Sequence, residues 1–125
     1  MKAPHILIVD DEPNIVMSLE FLMRKNGYQV GIARNGTEAL AAIALHPYDL
    51  VLLDVMMPDV DGYQVCRELR QHPDRMVTKV IFLSAKSREA DIQKGYAAGA
   101  DFYISKPFST RQLMKKVLEL LGVTA

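Results

Sequence analysis

Five side chains in this sequence have the chemistry to handle a divalent cation and a phosphate. Three are carboxylates, one is an ammonium and one is a hydroxyl: Asp10, Asp11, Asp54, Lys106 and Ser84. Carboxylates gathered in one crevice repel one another, so either their pKa values rise or a cation lies among them. Magnesium fits such a set because it takes oxygen ligands. No histidine or cysteine belongs to the set, which argues against zinc.

A carboxylate beside a cation, a fixed ammonium and a hydroxyl is also a suitable acceptor for phosphorus. The metal and Lys106 would offset charge on the transferring oxygens while Asp54 attacks in line. The Ser84 hydroxyl would then bond the new dianionic group and draw its loop along. The side chains therefore predict a phosphoryl mark on Asp54 that controls the order of a loop.

Each residue also has an ordinary explanation when taken alone. Asp10 and Asp11 could cap the helix that Pro13 opens. Lys106 could be a solvated charge, and Ser84 could be a strand-end hydroxyl bonded to backbone. The shared site is favoured because unrelated explanations would have to hold together at the positions where function needs these residue types.

The pattern along the chain is five strand-helix units. Continuous apolar runs predict three central strands, and more polar runs predict two edge strands. The central runs are Ile6–Val9, Leu50–Leu53 and Val80–Leu83, and the edge runs are Gln29–Ala33 and Asp101–Ser105. Alternation with short connections predicts an α/β fold, a parallel sheet doubly wound with helices on both faces. The candidate side chains follow the carboxyl ends of these strands, where such sheets bind ligands.

Apolar residues at helical spacing predict the stripes that cover this sheet. The stripes are Ile15, Leu19 and Leu22; then Ala39, Ala42, Ile43 and Ala44; then Leu113, Val117 and Leu120. The helix Arg88–Ala98 has the weakest support. Ile92 is its only large aliphatic side chain, and Gly95 in its interior costs about 1 kcal/mol. We expect this helix to be the most mobile.

Composition sets the wider expectations. At 125 residues and 50% apolar, the chain predicts one domain, residues 1–125. Fifteen basic and fifteen acidic side chains cancel, so neither nucleic acid nor an anionic membrane surface is expected as a partner. The single cysteine, Cys66, can form no intramolecular disulfide. The apolar run before Asp10 is too short for a signal peptide or a membrane span. A cytoplasmic setting is the simplest expectation.

Four segments resemble the receiver domains of two-component response regulators. They are Val9–Pro13, Leu52–Gly62, Leu83–Ala85 and Gly99–Phe108. The resemblance spans nearly the whole chain, and the motifs are specific in this combination and order. It implies a flavodoxin-like, CheY-like receiver fold with strand order 2-1-3-4-5.

The resemblance also implies roles for single residues. Asp54 would be phosphorylated by a sensor histidine kinase or a phosphotransfer protein. Magnesium would be bound by Asp11, Asp54 and the backbone carbonyl of Met56, and by Asp10 through water. Lys106 would pair with the phosphoryl oxygens. The chain would then be no enzyme, but a phosphoacceptor that assists its own phosphorylation and dephosphorylation.

Further implications concern the output. Ser84 would move toward the phosphoryl group, and Tyr103 would turn inward behind it. The peptide between Lys106 and Pro107 would be cis. The change would reach the surface of the fourth helix, fifth strand and fifth helix, and through it a downstream effector domain or protein.

Two departures from the family pattern bear on that output. The family more often has threonine at Ser84, so the hydroxyl is kept while a methyl group that restricts χ1 is lost. Asp101 is followed by Phe102 rather than a second acid. That weakens the expectation of the charged dimer of winged-helix regulators, although another phosphorylation-dependent dimer stays open.

Rival functions are addressed by two positions. A magnesium-dependent phosphatase with an Asp nucleophile places a second Asp two residues later, where this chain has Met56. A flavin or nucleotide binder needs a glycine-rich first loop, whereas Asp10–Pro13 is acidic and would repel phosphate. A degenerate receiver that only binds partners is disfavoured by the complete acidic set and the lysine.

The apolar Met56 also predicts slow self-dephosphorylation, since it cannot orient a water molecule.

Overall fold

The computed structural model describes residues 3–122, in which five strands alternate with five helices. The elements are β1 (His5–Val9), α1 (Pro13–Lys25), β2 (Gln29–Ala33), α2 (Gly36–Leu45), β3 (Leu50–Leu53), α3 (Gly62–Gln71), β4 (Lys79–Ser84), α4 (Glu89–Ala97), β5 (Phe102–Ser105) and α5 (Thr110–Leu120). Every predicted strand is present, with bounds within one residue. The expected domain ran from residue 1 to residue 125, and its outermost residues lie outside the described range. None of the helices in that range is long and apolar enough to span a membrane.

The sheet is parallel throughout, with the order β2-β1-β3-β4-β5. This confirms the predicted doubly wound α/β fold and places the two polar strands at the edges. From β1 the chain goes to one side for β2 and to the other for β3, so the switch point lies between β1 and β3. Val9 is level with Leu53, and Leu53 is level with Phe82. The first residues beyond β1 and β3 are therefore neighbours.

Successive strand residues face opposite layers of helices. Leu7 and Val9 belong to a core cluster with α2, α3 and α4. Ile6 and Ile8 belong to a second cluster with α1 and α5. The continuous apolar runs follow from this arrangement, because both faces of each central strand are buried.

The helix stripes differ from the prediction in detail. In α1 the buried residues are Val16, Leu19 and Met23, while Ile15 and Leu22 only flank the cluster. Helical spacing allows Leu19 to share a buried face either with Ile15 and Leu22 or with Val16 and Met23. The rotation of α1 about its axis buries the second set. The prediction for Ala44 in α2 was wrong, because Ala44 is exposed.

The helix α4 is held by an unusual contact. Gly95 is the one residue of α4 that is buried, and a Cβ there would lie 2.8 Å from the ring of Tyr103. The glycine that weakens the helix in isolation therefore leaves room for an aromatic ring from β5.

Candidate functional site

The three carboxylates converge at the switch point. Asp10 follows β1 and Asp54 follows β3, and the Asp54 N–H donates to the Val9 carbonyl at 3.0 Å. One carboxylate oxygen from each of Asp10, Asp11 and Asp54 lies within 4.8 Å of the others. Asp10 and Asp54 are only 2% and 6% exposed, whereas Asp11 faces solvent. The predicted acidic cluster is thus formed by two buried groups and one accessible group.

Lys106 reaches this cluster from the end of β5. Its Nζ donates to Asp10 Oδ2 at 2.8 Å and lies 3.9 Å from Asp54 Oδ1. Burial alone would lower the pKa of Lys106, but the Asp10 hydrogen bond and the Asp54 charge raise it overall. The ammonium therefore stays charged. The peptide between Lys106 and Pro107 is cis, as the resemblance implied.

The pKa of the Asp54 carboxyl group is raised by its surroundings. Burial raises its pKa to about 6, the Lys106 charge opposes this, and the Asp10 charge adds to it. A cation among the three carboxylates would favour the ionised form of Asp54, because it offsets both the burial of that charge and the repulsion from Asp10. Because all the side-chain donors are oxygens, the set suits magnesium better than a metal that prefers nitrogen or sulfur.

Asp10 also serves the local backbone. Its Oδ1 accepts a hydrogen bond from the Glu12 N–H at 2.9 Å, immediately before α1 begins. The N-cap of α1 is Glu12 and the helix has no side-chain cap hydrogen bond, so the alternative that Asp10 or Asp11 caps this helix was wrong. The same carboxylate supports the start of α1 through one oxygen and holds Lys106 through the other.

Ser84 and Tyr103 share one backbone partner. Ser84 is fully buried, and its Oγ accepts a hydrogen bond from the Lys86 N–H at 3.1 Å. The Tyr103 hydroxyl donates to the Lys86 carbonyl at 2.6 Å, and Tyr103 is 7% exposed. Tyr103 thus lies inward in this structure, and Lys86 connects it to Ser84.

The sequence matches the family model described as "Response regulator receiver domain" over residues 6–118. The chain belongs to that family. Membership implies phosphorylation-dependent signalling in a two-component system. The comparison lends no support to the phosphatase alternative.

Curated relatives are similar in sequence to this receiver domain over most of its length. The transcriptional regulatory protein ResD of Bacillus subtilis (strain 168) is 44% identical over 116 residues, which are 93% of the chain and 47% of ResD. The chain spans about half the length of the curated relatives it matches.

Solved receiver domains have the same fold. A CheY-like receiver domain protein from Methanospirillum hungatei JF-1 superposes with a TM-score of 0.91 at 32% identity, covering 97% of this chain and 95% of its own. The receiver domain of a sensor histidine kinase from Pseudomonas aeruginosa PAO1 gives 0.89 at 29% identity, covering 97% and 99%. The latter structure holds a magnesium ion coordinated in its active-site cleft.

Two residues of this receiver domain that contact the site were missed by sequence reasoning. Gly62 opens α3, and a Cβ there would collide with the carbonyl oxygen of Asp54. Tyr63 follows it and donates its hydroxyl to the Asp91 carbonyl in α4 at 3.0 Å. Gly62 ends one of the four segments that resemble the family, but that pattern does not show its contact with Asp54. An aromatic after that glycine gave no signal by itself, because its partner is distant in sequence.

A third missed residue, Arg70, bears on the dimer expectation. It donates to the Gly99 carbonyl at 2.8 Å and pairs with Asp101 Oδ2 at 2.8 Å. The same oxygen accepts from the Val80 N–H at 2.8 Å. The acid after Gly-Ala is therefore already engaged within the chain.

Proposed function

We propose that this receiver domain is a switch in which Asp54 accepts a phosphoryl group from a sensor histidine kinase or phosphotransfer protein. The observation that carries the proposal is the position of Asp54 between acidic neighbours and an ammonium 3.9 Å away. A buried carboxylate so placed has positive charge available for the transferring oxygens.

Magnesium is proposed as the cofactor. Asp10, Asp11, Asp54 and the backbone carbonyl of Met56 would hold it, with Asp10 acting through water. When bound, the ion would neutralise charge on the phosphoryl oxygens. The exposure of Asp11 gives a cation access to an otherwise buried cluster.

The transfer itself is an in-line displacement. A carboxylate oxygen of Asp54 forms a bond to phosphorus as the bond from phosphorus to the donor imidazole nitrogen breaks. The electron pair of the broken bond stays on that nitrogen. Lys106 would move from Asp10 toward the new oxygens, which places it among the catalytic residues. Attack of water on the acyl phosphate would later restore Asp54.

The proposed relay begins at Ser84. Its hydroxyl would exchange the Lys86 N–H for a phosphoryl oxygen, and the loop before α4 would follow. Lys86 also accepts the Tyr103 hydroxyl, so the inward Tyr103 would be fixed by the same movement. The α4-β5-α5 surface would present the result to an effector domain or protein, or to a second copy of the chain.

The donor is proposed to dock beside Lys106. An apolar groove of about 530 Å³ runs there between α1 and the loop after β5. Its lining includes Ile15, Ser18, Leu19 and Phe108, which we propose help to select the kinase.

Acetyl phosphate with Mg²⁺ provides the test, followed by intact-protein mass spectrometry. Wild-type protein should gain one phosphoryl group, and EDTA should prevent the gain. Asp54→Asn should gain none, while Asp74→Asn, which changes an exposed carboxylate, should behave as wild type. Equal labelling of the Asp54→Asn variant would contradict the proposal.

A further inference from the structure

Tyr63, in α3, contacts α4 through both its hydroxyl and its ring. It is 3% exposed, and its hydroxyl donates to the backbone carbonyl of Asp91, in the first turn of α4, at 3.0 Å. Lys94, further along α4, places its Nζ 4.8 Å from the centroid of the Tyr63 ring. Two residues of α4 are therefore held by one side chain of α3.

The same tyrosine is closely tied to Asp54. Gly62, directly before it, donates its N–H to the Val55 carbonyl at 2.8 Å. Gly62 also lies so close to the Asp54 carbonyl oxygen that no side chain fits there. The start of α3 is thus packed directly against the backbone of the proposed phosphoacceptor, and interiors this tightly packed transmit displacement.

A second path reaches Tyr63 from the switch residues. The Phe82 ring lies between the two tyrosines, with centroids 5.5 Å from Tyr63 and 5.7 Å from Tyr103. Tyr103 holds the Lys86 carbonyl just before α4, and Tyr63 holds Asp91 just inside it. Two tyrosine hydroxyls therefore fix the same end of α4 from two directions. Burial raises the pKa of both phenols, so both stay protonated donors.

We propose that Tyr63 is a positioning residue of the switch, whose hydroxyl holds α4 in the arrangement that accompanies the inward Tyr103. Occupancy of Asp54 and the position of α4 are then coupled through α3 as well as through Ser84. This proposal rests on the proposed function, since it describes regulation of that same site.

A purely structural tyrosine would give a different result from a positioning one. Loss of a structural hydroxyl lowers global stability and leaves the affinity of the folded site for its ligand unchanged. Loss of a positioning hydroxyl lowers that affinity, because the state that the ligand prefers is less populated.

Beryllofluoride with Mg²⁺ is the probe, titrated calorimetrically into the full chain. Tyr63→Phe keeps the ring and removes the hydroxyl, so its affinity should fall about fivefold, the equivalent of one hydrogen bond. Hydrogen exchange of the α4 amides in the complex should quicken. Tyr28→Phe is the matched control, a buried tyrosine between α1 and β2, and should keep wild-type affinity.

Lys94→Met is a second variant that leaves the core intact, since Lys94 is exposed. Removal of the cation over the ring should weaken binding about threefold. Wild-type affinity in Tyr63→Phe, or a loss in Tyr63→Phe matched by Tyr28→Phe, would overturn the role of the Tyr63 hydroxyl and leave the proposed function standing. Failure of the wild type to bind beryllofluoride would instead defeat the proposed function.

Discussion

Lys106 and Asp10 form a buried ion pair, with Nζ 2.8 Å from Oδ2 and side chains only 12% and 2% exposed. The lysine is therefore nearer to Asp10 than to Asp54, from which it is 3.9 Å distant. Before the Lys106 ammonium can contact a phosphoryl group on Asp54, its hydrogen bond to Asp10 must lengthen or break. The buried Asp10 carboxylate then requires another cation to balance its charge.

Lys106→Met should destabilise the chain at pH 7 by about 3 kcal/mol, because it leaves buried carboxylates unpaired. The loss should shrink toward pH 4, because burial raises the pKa of Asp54 to about 6 and this carboxyl is then protonated. Urea unfolding at the two pH values measures it, and Lys115→Met, an exposed lysine, serves as control. A loss that is the same at both pH values would show that packing rather than charge is responsible.

Asp54→Asn should stabilise the metal-free protein at neutral pH. The unfolded chain releases this proton near pH 4, while the folded chain keeps it until about pH 6. Wild-type stability should therefore fall as the pH rises through that interval, and the variant should not show this fall. The gain should reach up to about 3 kcal/mol at pH 7 and disappear at pH 4. Denaturant titrations in EDTA test this, with Asp74→Asn expected to follow the wild type.

Magnesium should stabilise the folded chain through the same acidic cluster. At ten times the dissociation constant the gain should be about 1.4 kcal/mol, seen as a rise in Tm. Asp11→Asn should weaken the effect without unfolding the protein, because Asp11 is exposed. An unchanged magnesium response in Asp11→Asn would argue against its role as a ligand.

Gly95→Ala should separate helix propensity from switching. Alanine favours an isolated helix by about 1 kcal/mol, yet its Cβ would meet the Tyr103 ring at 2.8 Å. We expect Tyr103 to be displaced outward and beryllofluoride affinity to fall. In a Tyr103→Ala background that contact is gone and only the Phe82 ring remains near, at 3.2 Å, so the same substitution should destabilise less than it does in the wild type. Ring signals of Tyr103 in NMR spectra and thermal unfolding report the two effects.

Met56→Gln should shorten the lifetime of the acyl phosphate by at least about tenfold, because a carboxamide can orient the attacking water. Met56 is 58% exposed beside the site, and Met76, 59% exposed and remote from it, offers the control Met76→Gln. Loss of the label over time, followed by mass spectrometry, gives the rate. A lifetime that does not change in Met56→Gln would remove any role for this position.

The sequence by itself determined the sheet and most of the site. Apolar runs fix where strands end, and covalent adjacency then places Asp10, Asp54 and Lys106 at one edge of a parallel sheet. These inferences need only local pattern and the rules of strand-helix alternation.

Tertiary structure decided what depends on contact across space. The rotation of α1 about its axis buries Val16 rather than Ile15. Gly95 weakens α4 as an isolated helix, but in the folded chain its lack of a side chain leaves room for the Tyr103 ring. The hydroxyl of Tyr63 found a carbonyl 28 residues away. No local pattern encodes such pairs, because they depend on how each helix is rotated and seated once the core has packed.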